Sequence, residues 1–188
     1  MNNAIRVPDV IFRTRVKETL PTGEYVWKNV TSEEIFNYKR VVVFALPGAF
    51  TPTCTTQQLP AYEARYHEFK QLGIDEVYCL SVNDSFVMNA WFDHLGITQV
   101  KPLPDGSGEF TAAMNMLVNK ANLGFGNRSW RYSMLVDNGE IQILFEEPGK
   151  MSLDHADPYG LSGPSEMISW LSTDQTIKDN ASFILQNA

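Results

Sequence analysis

Residues 41–46, Val-Val-Val-Phe-Ala-Leu, form a continuous apolar run rich in β-branched side chains. A run of that length without polar alternation predicts a central strand covered on both faces. Pro47-Gly48 ends it, and Pro52 follows closely, so the chain must turn before regular structure resumes. From Thr53 to about Leu72 the residues Leu59, Tyr62, Tyr66 and Phe69 recur at helical spacing. Thr51 or Thr53 can cap this helix, Gly73 ends it, and Pro60 inside it should kink it.

The segment from Glu76 to Val82 predicts a second buried strand, and Ser85 to Leu95 an amphipathic helix ending at Gly96. Lys101 to Gly108 carries two prolines and two glycines and is expected as turn material. Phe110 to Val118 is expected to be helical. Trp130 to Val136 and Glu140 to Glu146 flank Asp137-Asn138-Gly139, a strong hairpin signal. Pro164 to Leu171 predicts a closing helix. Near the N-terminus, Val10 to Val16 and Glu24 to Val30 around Pro21-Thr22-Gly23 suggest a further hairpin.

Strands joined by helices, with an antiparallel pair added late, describe an α/β fold of the thioredoxin type. The expectation is a central mixed β-sheet flanked by helices, with the N-terminal hairpin attached. No repeat, low-complexity tract or linker interrupts the 188 residues, so they are expected to form one domain, 1–188, with its core at about 7–171.

Composition narrows the function. An apolar share of 44% and a charged share of 20% are those of a soluble globular chain. A net charge of −7 argues against nucleic acid or an anionic membrane surface as a partner. The N-terminal stretch lacks the apolar run of a secretion signal, and no window has the length of a membrane span. With two cysteines, too few for a disulfide framework, the expected setting is a reducing cytoplasm.

In that setting a cysteine is either buried filler or chemically used. A free thiol with pKa near 8.5 is only about 3% thiolate at neutral pH, whereas one brought to about 6 is roughly 90% thiolate. A helix end supplies part of that shift through its unpaired N–H groups, and a nearby cation supplies more. Cys54 has such an address: strand, proline-containing loop, then cysteine in the opening turn. Three threonines and two prolines nearby favour the reactive reading. Thr51, three residues earlier, has a hydroxyl able to accept from a thiol and donate to a bound oxygen. Pro47 can shield the site without offering a competing N–H.

The string Pro47-Gly-Ala-Phe-Thr51-Pro-Thr-Cys54 resembles the peroxiredoxin signature Pro-x-x-x-Thr-x-x-Cys, in the form of the type II, peroxiredoxin-5-like subfamily. Cys79-Leu-Ser-Val-Asn-Asp84, Phe86-Val-Met-Asn-Ala-Trp91, Asp105-Gly-Ser-Gly-Glu-Phe110 and Gly126-Asn-Arg-Ser-Trp-Arg-Tyr-Ser-Met134 agree with it, in family order, from about Val7 to Trp170. The resemblance implies a thiol peroxidase in which Cys54 attacks the peroxide, Thr51 orients it and Pro47 covers the thiolate. It places the family's essential arginine at Arg131, whose forked donors suit both thiolate and peroxide oxygens. Arg128 is the rival cation. Side chains three apart on a strand face opposite ways, so only one should reach the site, and Arg128 is expected to be a surface or loop-bracing residue. Cys54, Thr51 and Arg131 are thus the substrate-binding set as well as catalytic residues. No metal or organic cofactor is implied.

Many relatives regenerate the sulfur with a second cysteine in the loop before the last helix, but Glu147 to Gly160 contains none. Cys79, mid-strand, reads as a buried inert thiol. The chain therefore resembles a one-cysteine type without the fused glutaredoxin domain of some bacterial relatives. Its expected reductant is external: glutathione with glutaredoxin, or thioredoxin. His67, His94 and His155 show no metal-ligand spacing. The resemblance also implies a homodimer packed through the active-site ends, with Phe50 as a fitting interface residue. The alternative reading is a peroxide-sensing thiol module signalling to a protein partner, which would not need the full Pro47/Thr51/Cys54/Arg131 set.

Overall fold

Alternate residues of the apolar run enter two different cores in the computed structural model, which describes residues 5–17 and 23–174. The run becomes strand β3 (Arg40–Ala45). Val42, Phe44 and Leu46 pack with one cluster, and Val41, Val43 and Ala45 with the other. Side chains alternate across a strand, so an unbroken apolar run satisfies a sheet with both faces covered. Each such buried side chain contributes roughly 1.5–3 kcal/mol.

The chain begins with the hairpin β1 (Ile11–Lys17) and β2 (Tyr25–Thr31), antiparallel, pairing Ile11 with Thr31 and Lys17 with Tyr25. Of its expected turn, Pro21 and Thr22 lie outside the described residues. Thr31 and Glu34 form a reciprocal capping box that starts α1 (Ser32–Phe36). Beyond β3 come α2 (Leu59–Ala64), α3 (Tyr66–Gln71), β4 (Glu76–Ser81) and α4 (Ser85–Leu95). Asp84 caps α4, and Gly96 closes it at φ 66°. Next are β5 (Lys101–Pro104), α5 (Glu109–Ala113), the short pair β6 (Leu117–Asn119) and β7 (Asn127–Ser129), then β8 (Tyr132–Asp137) and β9 (Glu140–Glu146). Residues 164–174 are helical and are called α6.

The main sheet runs β5-β4-β3-β8-β9, parallel between β5, β4 and β3 and antiparallel at β8 and β9. This is the mixed sheet of a thioredoxin-like fold. Met88, Trp91, Met167 and Leu171, from α4 and α6, cover the Phe44 face. Phe12, Phe36, Phe110 and Trp130 cover the other. Among the described residues, no helix is long and apolar enough to cross a membrane.

Two expected elements differ. Lys101 to Pro104 is not turn but an edge strand. Pro102 and Pro104 are tolerated there because only one side of an edge strand meets a neighbour. The helix expected over Phe110 to Val118 stops at Ala113, since Asn115 turns the chain at φ 57° and Leu117 starts β6. The Asp137-Asn138-Gly139 hairpin forms as expected, with Asn138 at φ 48° and Gly139 at φ 79°. A Cβ on Gly139 would stand 2.5 Å from Arg6 Nη2, so both backbone and space require glycine.

Candidate active site

The site forms where β3 runs out. After Ala45 the chain passes through Pro47-Gly48, turns at Phe50 with φ 62°, and enters a helical stretch at residue 52. Neither threonine caps it with its side chain. Thr53 is itself helical, and the Thr51 hydroxyl turns back to donate to Gly48 O at 2.7 Å. That bond leaves the hydroxyl's lone pairs, not its proton, free in this state.

Cys54–Gln58 is a π-turn, in which Leu59 N donates to Cys54 O. Pro60 explains the widening. It has no N–H for Thr56 O, and its ring would collide with that carbonyl in an ordinary α-turn. In place of one helix kinked at Pro60, the chain has this bulge ahead of the proline and a break at Arg65, φ −105°.

Cys54 is wholly buried, and Arg131 is 1% exposed. Arg131 Nη1 donates to Cys54 Sγ at 3.5 Å. The same nitrogen donates to Gln58 Oε1, and Nη2 pairs with Asp157 Oδ1. Tyr159 presents its ring 5.7 Å from the guanidinium. Burial opposes the charge on Arg131, but the Cys54 thiolate, and then Asp157, more than restore it and hold its pKa above the ordinary value. Two buried donors, Arg131 Nε and Gln58 Nε2, meet no protein acceptor among the described residues.

Arg131 reaches this place because it sits just before β8, with its carbonyl accepting from Glu147 N at 3.1 Å. Arg128 goes elsewhere: its Nε donates to Phe125 O and its Nη1 to Val82 O. It braces loops, and it packs so close to Gly48 that a Cβ there would be 3.0 Å from Nη1. The chain is not one extended strand between the two arginines, since β7 ends at Ser129 and β8 begins at Tyr132. Only Arg131 bonds the thiol. Arg128 still feels the Cys54 charge, although burial dominates and lowers its pKa.

The loop that delivers Asp157 and Tyr159 is tied down at several points. The Glu147 carboxylate accepts from Gly160 N, Ser162 N and Ser162 Oγ at 2.7–2.8 Å. Burial pushes the Glu147 pKa up, but these bonds outweigh it and hold the carboxyl below its usual value. Tyr62 Oη donates to Ser162 O, and Lys120 Nζ to Asp154 O and Ala156 O.

A cavity of about 160 Å³ lies against the site, lined by Pro47, Thr51, Leu123, Phe125, His155 and Asp157 among others. Phe50 is 52% exposed and stands 6.4 Å from the Trp91 ring and 5.9 Å from His94. Cys79 lies in the same core cluster as Cys54. Burial, with a smaller contribution from Cys54, pushes its thiol well above the ordinary value, against a lowering effect of Arg131.

The structure thus puts Arg131 in contact with Cys54, and places Pro47 and Thr51 in the lining of a cavity that Asp157, the partner of Arg131, also lines. Gln58 and Asp157 were not anticipated. Gln58 was legible as the residue one helical turn beyond Cys54. Asp157 had no local signal, because a long-range loop closure brings it in.

The sequence pattern of the Redoxin family matches residues 13–158. A peroxiredoxin of Sinorhizobium fredii is 53% identical over 92% of this chain and 93% of that protein. The hybrid peroxiredoxin hyPrx5 of Haemophilus influenzae is 44% identical over 94% of this chain and 69% of that protein. Among solved structures, the Plasmodium falciparum antioxidant protein, a 1-Cys peroxiredoxin, superposes with a TM-score of 0.86 at 33% identity, covering 91% of this chain and 99% of that one. A buried cysteine beyond one strand, bonded by an arginine from the start of the neighbouring strand, on this fold and at this level of identity, makes the chain a member of the peroxiredoxin family, the thiol peroxidases of the peroxiredoxin-5-like type.

Proposed function

We propose that the chain reduces hydrogen peroxide and alkyl hydroperoxides through a sulfenic acid on Cys54. The observation that carries this reading is the 3.5 Å contact between Arg131 Nη1 and Cys54 Sγ in a site closed to water. The Cys54 thiolate attacks the distal oxygen of ROOH. An S–O bond forms as the O–O bond breaks, the electron pair leaves with RO⁻, and RO⁻ takes a proton to become ROH. Arg131, whose Nε–H has no acceptor among the described residues, offers a donor to the departing oxygen as its charge grows. Thr51 directs the peroxide once its hydroxyl swings from Gly48 O, and Pro47 forms the wall that keeps competing water out.

The sulfenic acid is returned by external thiols. One thiol displaces water to give a mixed disulfide, and a second releases Cys54. Support for this comes from Cys79, buried in β4 with its thiol pushed up, and from the cysteine-free loop 147–160. The 1-Cys designation of the Plasmodium protein points the same way. Glutathione with glutaredoxin, or thioredoxin, supplies the electrons. The enzyme works in the cytoplasm as a homodimer, with exposed Phe50 in the contact.

The test is turnover of hydrogen peroxide and tert-butyl hydroperoxide, supplied in turn with thioredoxin and with glutathione plus glutaredoxin. Turnover with one donor system and its abolition in Cys54→Ser are expected. Retained turnover in Cys54→Ser would overturn the reading. A wild type that forms the sulfenic acid once but does not cycle with either donor would favour the sensing module instead.

A further inference from the structure

Resting on the peroxidase reading, one feature points to the charge of the preferred substrate. Of the cations near the cavity, Arg131, paired with Asp157, is 1% exposed, and Lys120, in the lining, is buried with its Nζ held by two carbonyls, 5.2 Å from the Trp130 ring, while half-buried Arg128 has its donors on Phe125 O and Val82 O. The Asp157 side chain, in contrast, is 41% exposed and lines the cavity together with Pro47 and Thr51. The rim beside it is apolar, from Leu123 and Phe125, with His155 adjacent. An arriving molecule therefore meets a carboxylate first and the guanidinium only behind it. The chain's net charge of −7 adds to that field.

We infer that Asp157 is a specificity residue that filters substrates by charge, admitting neutral hydroperoxides with apolar groups and turning away peroxides that carry a negative charge. The arrangement has a reason. A bare guanidinium at the mouth would collect any anion, carboxylates and phosphates included, and so block the sulfur. Pairing Arg131 with a fixed carboxylate leaves its second set of donors for the reaction while cancelling its long-range attraction for anions. Asp157 acts on which peroxide arrives, and Arg131 on what happens to it.

The test uses a matched pair, cumene hydroperoxide and its para-carboxylate, with dithiothreitol as the thiol. kcat/KM for each peroxide is measured in wild type, Asp157→Asn and Asp157→Glu. Wild type is expected to favour the neutral member by about tenfold at low ionic strength, a preference that fades as salt screens the mouth. Asp157→Asn should lose most of that preference and its salt dependence, while Asp157→Glu should keep both. A residue that only holds Arg131 in place would, on removal, lower both substrates equally and leave the ratio intact. That outcome would overturn the inference, as would a wild type indifferent to the charge. A wild type that turns over neither peroxide would instead defeat the peroxidase reading, and the filter with it.

Discussion

Cys54 and Cys79 are equally hidden from solvent and share one hydrophobic cluster, yet their surroundings are opposite. Cys79 sits in the middle of β4, between Tyr78 and Leu80, where the backbone is spent on sheet pairing. Its thiol is pushed up because burial, with a smaller contribution from Cys54, outweighs the lowering effect of Arg131. Cys54 sits where a strand has ended and a helix has just begun, with a guanidinium donating to its sulfur. Low exposure by itself thus says nothing about whether a thiol reacts. The partner decides, and the partner comes from a residue 77 positions away.

The contrast breaks most severely if the partner is removed. Arg131→Ala should lower kcat/KM for peroxide at least about a hundredfold, or about 2.7 kcal/mol of transition-state stabilisation. Stopped-flow peroxide reduction measures it, and a loss under tenfold would mean that the arginine is not what distinguishes the two sulfurs. Gln58→Leu should cost about tenfold, since Arg131 loses an acceptor that fixes its orientation while keeping its charge. Because Gln58 touches Arg131, its effect should largely disappear in an Arg131→Ala background, which a double-mutant cycle checks.

Glu147→Gln tests the loop that completes the arginine's surroundings. The Glu147 pKa is depressed in the fold, so its stabilisation is fully present above the unfolded value and is lost as pH falls through the folded one. The variant should be less stable by about 2 kcal/mol at pH 7. The gap in Tm should close as pH falls from about 5 towards 3, below the usual glutamate range. A gap independent of pH would show that the carboxylate's charge is not what ties the loop. The smallest expected change is at the other sulfur. Cys79→Ala should leave peroxide turnover within about twofold of wild type, and alkylation mapped by mass spectrometry at pH 8 should leave Cys79 unmodified in the folded protein.

How much of this was legible depended on how local the determining physics was. The β3 run, the Asp137-Asn138-Gly139 hairpin and α4 with its Asp84 and Gly96 ends are specified within a few residues, and the sequence pattern finds them. The edge strand β5 was hidden by Pro102 and Pro104, because a proline's meaning depends on which side of a strand has a neighbour. At the site, Cys54, Thr51 and Pro47 share one short segment, and Arg131 was legible through family resemblance. The gathering of Asp157 and Tyr159 rests on bonds between Glu147, Ser162, Lys120 and Asp154, spread over more than forty positions. No short window contains that information.

The widened turn at Cys54–Gln58 also sets the phase of everything after it. One residue of an α-helix is about 100° of rotation, so an extra residue in one turn redirects every later side chain by roughly that angle. With the wide turn, Cys54 and Gln58 meet Arg131 while Tyr62, a turn later, lies flat on Phe44 at 3.8 Å with rings 4° from parallel. Deleting a single residue between Thr55 and Gln57 would leave the helix intact but out of step, so that either the sulfur or the tyrosine would face the wrong way. Pro60 acts as a timing element: by forbidding the ordinary turn, it keeps the chemistry and the core aligned to the same clock.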